Sequence, residues 1–220
     1  RLVRHIYGVQ NKVPIMGRKS EFRPAAAGDS AMREAINALD AMALTGERRA
    51  NARPRACFGS NSEIWLDLGD ESWRAVRITR EGWTVQDQAD VPLIRPAGLA
   101  ALPTPAEGGT VDLLRQFFGR GDADTFMLIT SWLVAALHPR GPYPVLAIDG
   151  EQGSGKSTLS RMLRALIDPN TADLAPMPRD ERDAVIACSN GAVLALDNLS
   201  SVTPDMADVI CRIATGSGFR

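Results

Sequence analysis

The chain has 220 residues, 45% of them hydrophobic, with a formal net charge of −1. This is enough apolar material for one large or two small cored domains, and the overall charge gives no signal for nucleic acid. Two histidines, and three cysteines (Cys57, Cys188, Cys211) without metal-ligand spacing, leave almost no material for a zinc site or a Ser-His-Asp triad.

The distribution is less even than the total. Residues 1–60 carry eleven Lys/Arg against five Asp/Glu, a balance of +6, and the remainder carries −7. A basic amino-terminal arm suits nucleic-acid contact, and equally an ordinary solvated face or a mobile tail. Residues 1–28 are polar and show no clear period. Asp29 or Ser30 is placed to cap a helix to about Leu44, with Met32, Ala35, Ile36, Leu39 and Ala43 on one face and Gly46 after it. A basic, proline-containing connection, residues 47–55, follows. Three alternating runs, 63–68, 73–78 and 82–86, separated by Gly69-Asp70 and Glu81-Gly82, then predict an antiparallel meander. Trp65, Trp73 and Trp83 lie in it; they fit either the core of a small sheet or a stacking platform for single-stranded nucleic acid, the core being the commoner use.

Four prolines and the Gly108-Gly109 pair mark residues 92–110 as a linker or extended crossover. The expected domains are 1–107, an amino-terminal helix, small sheet and proline-rich linker of unassigned role, and 108–220. In the second, Val111 to Phe118 suggests a short helix, and Asp122 to Leu137 a longer one capped by Asp122 or Asp124. Its apolar run from Phe126 is too short to span a bilayer, and no signal peptide opens the chain. With unpaired cysteines this predicts a cytoplasmic protein. The absence of an initiator methionine suggests a fragment. Cys188 and Cys211 fall in apolar helical patterns and read as core residues.

Gly150-Glu151-Gln152-Gly153-Ser154-Gly155-Lys156-Ser157 fits the phosphate-loop pattern G-x-x-x-x-G-K-[ST] at every fixed position. Residues 145–149 before it read as a short buried strand. Thr158 to Ile167 after it is a helix by the spacing of Leu159, Met162, Leu163 and Leu166. Glycines let successive backbone N–H groups converge on phosphate oxygens, and the helix start adds its unpaired amides and positive dipole end. Lys156 supplies a charge for the outer phosphates, and Ser157 a hydroxyl for magnesium. Gly150 to Thr158 are therefore the candidate nucleotide-binding residues, with ATP and Mg2+ as cofactors.

Beyond this loop, Asp168-Pro169 stops regular structure, 172–175 suggests a further strand, and 180–188 a helix closed by Asn190-Gly191. Residues 192–197 read as a second buried strand ending in Asp197, an acid placed to hold the metal opposite Ser157. Asn198 follows where many ATPases carry a glutamate; asparagine orients water and takes no proton. Lys156, Asp197 and Asn198 are the candidate catalytic residues, and Ser157 and Asp197 the candidate metal ligands. Thr203-Pro204 starts a last helix that ends at Gly216.

The loop, the 193–198 run and the Arg212–Arg220 segment together resemble the superfamily 3 helicase ATPases, in particular the poxvirus-type primase–helicase modules of phages and integrated elements. The resemblance covers about 111–220. It implies an α/β P-loop NTPase fold of AAA+ type with a mostly parallel sheet, here preceded by a small α+β region with the meander. It also implies a ring, usually a hexamer, hydrolysing ATP at its interfaces and acting on DNA. Thr215, Phe219 and Arg220 would lie near that DNA, although Gly216 equally fits a simple helix carboxyl cap. The family's sensor strand and arginine finger follow its third motif, so the ATPase domain is expected to be incomplete at Arg220.

Three functions compete: an ATP-hydrolysing, helicase-like motor in replication of a phage or mobile element; a nucleotide-binding switch or scaffold with little turnover, which Asn198 favours; and a P-loop kinase. The kinase would need an arginine-rich lid, for which Arg179 and Arg182 are the only nearby pair.

Overall fold

A computed structural model describes residues 12–15, 18–46, 52–117, 123–199 and 201–216. The chain divides into two compact units, residues 1–50 and 51–220. In the first, β1 (Lys12–Ile15) and β2 (Arg18–Pro24) pair antiparallel, and α1 (Asp29–Thr45) follows. The hairpin falls where the sequence shows no period. Helix α1 is where the spacing predicted it. Its N-cap is Gly28 rather than an aspartate or serine, and Asp29 instead sits in the first turn, where it faces the positive helix end. None of its residues is buried: Ile36, Leu39, Met42 and Leu44 are all exposed.

The second unit begins with β3 (Arg53–Pro54) and a four-stranded antiparallel sheet in sequence order: β4 (Ala56–Phe58), β5 (Ile64–Asp67), β6 (Ala75–Thr79) and β7 (Gly82–Gln86). The meander is thus present, with β4 added at its edge. Cross-strand partners such as Leu66 with Val76, and Val76 with Val85, share one face. Trp65 is buried in this sheet, whereas Trp73 and Trp83 are exposed, and the Arg95 guanidinium stacks 3.9 Å above the Trp73 ring. Strand β8 (Leu93–Ile94) then returns to pair parallel with β3.

A 3-10 turn (Val111–Phe117) precedes four helices: α2 (Ala123–Ala136), α3 (Lys156–Ile167), α4 (Glu181–Ser189) and α5 (Pro204–Thr215). Their starts follow the sequence signals closely. Asp180 caps α4 by accepting from the Asp183 amide, and Thr203 caps α5 by accepting from Met206 with Pro204 in the first turn. Ile129 and Leu133 of α2 pack with Leu163 and Ile167 of α3, and Leu146, Ile148 and Val193 lie against this cluster. Ala184 of α4 packs with Met206 and Val209 of α5. Cys211 is exposed on α5 and is not a core residue; Cys188 is half-buried and Cys57 buried.

The expected α/β architecture of AAA+ type with a mostly parallel sheet is not what forms. Among the described residues the extended sheet is the antiparallel one, and parallel pairing is confined to β3 with β8 and a single bridge between Ala175 and Leu196. Residues 145–149 and 192–197, both read as buried strands, have no ladder. Both are apolar and bury side chains on the α2–α3 cluster, and both line a cavity of about 290 Å³. Their apolar character is explained by that one-sided burial, and a strand additionally needs a neighbour to bond. No helix among the described residues is long and apolar enough to cross a membrane.

Candidate functional site

Residues 150–155 form an exposed loop that feeds α3. Three of its glycines have positive φ: Gly150 at 153°, Gly153 at 82° and Gly155 at 86°. Gly155 is the N-cap of α3 in the left-handed region, a conformation that L side chains rarely adopt. A Cβ at Gly153 or Gly155 would meet nothing within 4 Å. Backbone conformation, not crowding, is therefore what calls for glycine at these two positions. The loop ends at the amino-terminus of a twelve-residue helix, where free amides and the positive dipole end are concentrated.

Lys156 opens the helix and folds back over the loop. Its Nζ donates to the carbonyl oxygens of Gly150, at 2.8 Å, and Glu151, at 2.7 Å. The Ser154 amide donates to the Glu151 carbonyl at 3.2 Å, which tightens the same turn. Glu151, Gln152, Ser154 and Thr158 are exposed around it.

Ser157, one residue on, reaches across to the segment after α4. Its Oγ donates to Asp197 Oδ1 at 3.1 Å, and the Asn198 amide donates to the same oxygen at 2.9 Å. Asn198 achieves this in the left-handed region, at φ 57°, with its side chain exposed. Asp197 is held in place by its backbone: its amide donates to Ala175 O at 3.0 Å, and the Ala175 amide donates to Ala195 O at 2.9 Å. The two residues proposed as metal ligands from sequence, forty positions apart, are thus in contact. A hydroxyl and a carboxylate are hard oxygen donors that suit magnesium, which usually keeps several waters and takes phosphate oxygens as further ligands. Among the described residues no group of three or more His, Cys, Asp or Glu is placed to hold a metal.

A second polar centre lies at the far end of α3. Asp168 is fully buried, and its Oδ2 accepts from the amides of Ala192, at 2.8 Å, and Val193, at 3.0 Å. Its Oδ1 accepts from Arg55 Nε at 3.1 Å. Arg55 is 1% exposed and also donates to the carbonyl oxygens of Asp67, Ala100 and Pro169. Nearby, Arg164 donates to Ala172 O and Asp173 O. Burial pushes its pKa down, and the charges of Asp168 and Asp173 oppose that. Sequence reasoning treated Asp168 as a stop signal and Arg55 as part of a basic connection. The 113 positions between them carry no local signal of their pairing.

The remaining expectations fare unevenly. Thr215 closes its own helix, its Oγ1 donating to Cys211 O and Arg212 O. Gly216 is the left-handed carboxyl cap of α5, at φ 71°. Phe219 and Arg220 lie outside the described residues. Arg179 pairs with Asp183, a neighbour that raises its pKa first by hydrogen bonding and then by charge.

Residues 111–219 match the model of a family described as actinomycete integrative conjugative element replication protein. That stretch contains the glycine loop, Ser157, Asp168 and Asp197. No curated protein and no solved structure matches the chain. The similarity of this half of the chain to replication proteins of mobile elements fits a role in replication.

Proposed function

We propose that the chain binds ATP with magnesium at the 150–158 loop and uses its hydrolysis to act on DNA, in helicase-like fashion, during replication of a mobile element. The observation that carries this reading is the contact of Ser157 with Asp197 beside an exposed loop of positive-φ glycines at a helix start. The similarity to replication proteins of integrative conjugative elements supports the biological setting.

The chain's own groups have definable tasks. Loop amides and the α3 start take the phosphate oxygens. Lys156 leaves its two carbonyl partners and turns to the anion. Ser157, through its hydroxyl, and Asp197, through its carboxylate, would hold the metal, giving up their mutual hydrogen bond. Magnesium, when bound, would offset charge on the phosphate oxygens as the terminal phosphoryl transfers to water. Asn198 orients that water by hydrogen bonding and accepts no proton; ADP departs as the bond to the terminal phosphorus breaks, and the water's proton passes to the phosphate product. DNA contact falls to the end of α5 and the residues beyond it, with Thr215, Phe219 and Arg220.

ATP turnover by the full chain, measured with and without single-stranded DNA, tests the proposal. DNA should stimulate turnover, and Lys156→Ala should abolish it. Turnover that is indifferent to DNA, or that survives Lys156→Ala, would reject the motor. Asn198 favours a second reading, a nucleotide-dependent switch: its exposed amide side chain cannot act as a base, and its backbone N–H already occupies Asp197 Oδ1. Tight MgATP binding with negligible turnover in the presence of DNA selects that reading.

A further inference from the structure

Asp168 and its clamp sit at the opposite end of α3 from the candidate metal ligands, yet they hold the same segment that carries Asp197. The chain direction of 192–197 is opposite to that of α3, and the two are tied at both ends. At one end Ser157 Oγ bonds Asp197 Oδ1. At the other, Asp168 Oδ2 receives the Ala192 and Val193 amides. Eleven residues of helix from Ser157 to Asp168 rise about 17 Å, and the five steps from Ala192 to Asp197 can reach at most about 17 Å. The segment between the two ties therefore has little slack, so the register fixed at Asp168 constrains where Asp197 arrives.

The clamp is built to hold that register. Asp168 is completely buried, and Arg55 fixes its other oxygen while bonding three backbone carbonyls drawn from β5, the 96–102 segment and Pro169. A methyl group at Gly191 would stand 2.6 Å from Asp168 Oδ2, so glycine is required for the chain to pass this close to the carboxylate. The segment is pinned again at Ala175 just before Asp197.

We infer that Asp168, locked by Arg55, is a positioning residue that sets the Asp197 carboxylate at metal-binding distance from Ser157 by fixing the start of the 192–197 segment. This rests on the proposal that Ser157 and Asp197 share a magnesium ion. It assigns the antiparallel sheet a part in the site, because Arg55 leads directly into β4. Asp168 touches no ligand itself.

The test uses the full chain and ATP, titrated once with excess Mg2+ and once with EDTA. Wild type should bind more tightly with the metal. In Asp168→Asn that gain should fall at least about tenfold, the usual effect of losing a group that orients a metal ligand. Binding in EDTA, which depends on the loop amides and Lys156, should be unchanged. Gly191→Ala, which keeps every charge and presses on Asp168 from the chain side, should show the same split and serves if Asp168→Asn does not fold. In the free protein both variants should exchange the Ala192 and Val193 amide hydrogens faster than wild type. The inference is overturned if both variants keep the full metal gain, or if they lose EDTA binding in equal proportion, as a general structural defect would cause. A wild type that gains nothing from Mg2+ would instead reject the shared-metal reading, and the positioning role with it.

Discussion

Replacing Arg55 by methionine should cost the second unit about 3–5 kcal/mol. Arg55 is almost wholly buried and donates to one carboxylate and three carbonyl oxygens. Methionine fills a similar volume but supplies no donor, so the fully buried Asp168 loses its ion-pair partner while keeping its charge. Removing one partner of a buried pair costs about 3–5 kcal/mol, because the desolvated charge is left behind. The backbone contributes little to the difference: Arg55 lies at φ 62°, and any L residue there bears the same strain. Against a typical total of about 5–15 kcal/mol, such a loss is severe. In urea, with a slope of about 2 kcal/mol per molar, it corresponds to a midpoint about 2 M lower. Equilibrium unfolding by tryptophan fluorescence measures this, since Trp65 is buried in the sheet that Arg55 enters. The double variant Arg55→Met with Asp168→Asn should be less damaging than the sum of the two single changes, because neither member of the pair is left charged without the other. A loss below about 1 kcal/mol for Arg55→Met, in the range of an exposed pair, would refute the idea that this ion pair anchors the unit.

Two further outcomes follow from local geometry. Gly155→Ala should lower stability by about 1–2 kcal/mol, the cost of a left-handed conformation without steric crowding, and thermal unfolding monitored by circular dichroism would register it; a melting point equal to wild type would show that the loop relaxes freely. Among the thiols, exposed Cys211 should be alkylated by iodoacetamide before Cys188. Burial raises the Cys188 pKa, so its reactive thiolate forms only as pH climbs past the ordinary thiol range, and peptide mass spectrometry that found Cys188 modified first at neutral pH would contradict that assignment.

What could be read in the sequence was what is decided locally. Apolar spacing and caps located the helices, since Thr203-Pro204, Asp180 and Gly216 each act within one turn of where they stand. Alternation located β5, β6 and β7 because each pairs with its neighbour in sequence. The approach of Ser157 to Asp197 was also anticipated, from the chemistry that a phosphate loop requires of an acid beyond it. Residues 145–149 and 192–197 were misread as sheet strands because four apolar residues in a row report burial and say nothing about which backbone lies alongside. The core reading of the tryptophans holds for Trp65 and fails for Trp73 and Trp83, which are exposed; Trp73 lies just before β6 at a positive φ, outside the alternation that buries Trp65. Arg55 and Asp168 escaped notice because charged residues are ordinarily placed at the surface, and only the fold brings these two together.

The posture of Lys156 has a consequence for any anion that approaches the loop. Its ammonium group is already satisfied by two carbonyls of the very turn it would help to charge. An arriving phosphate must therefore win the lysine away from the protein, so measured affinity reflects an exchange of partners and understates the raw attraction. The same tether stops the side chain from wandering in solvent, which shortens its search once the ligand is there. A weaker grip and a quicker one would come from the same two bonds, and both would suit the binding and release proposed for this loop.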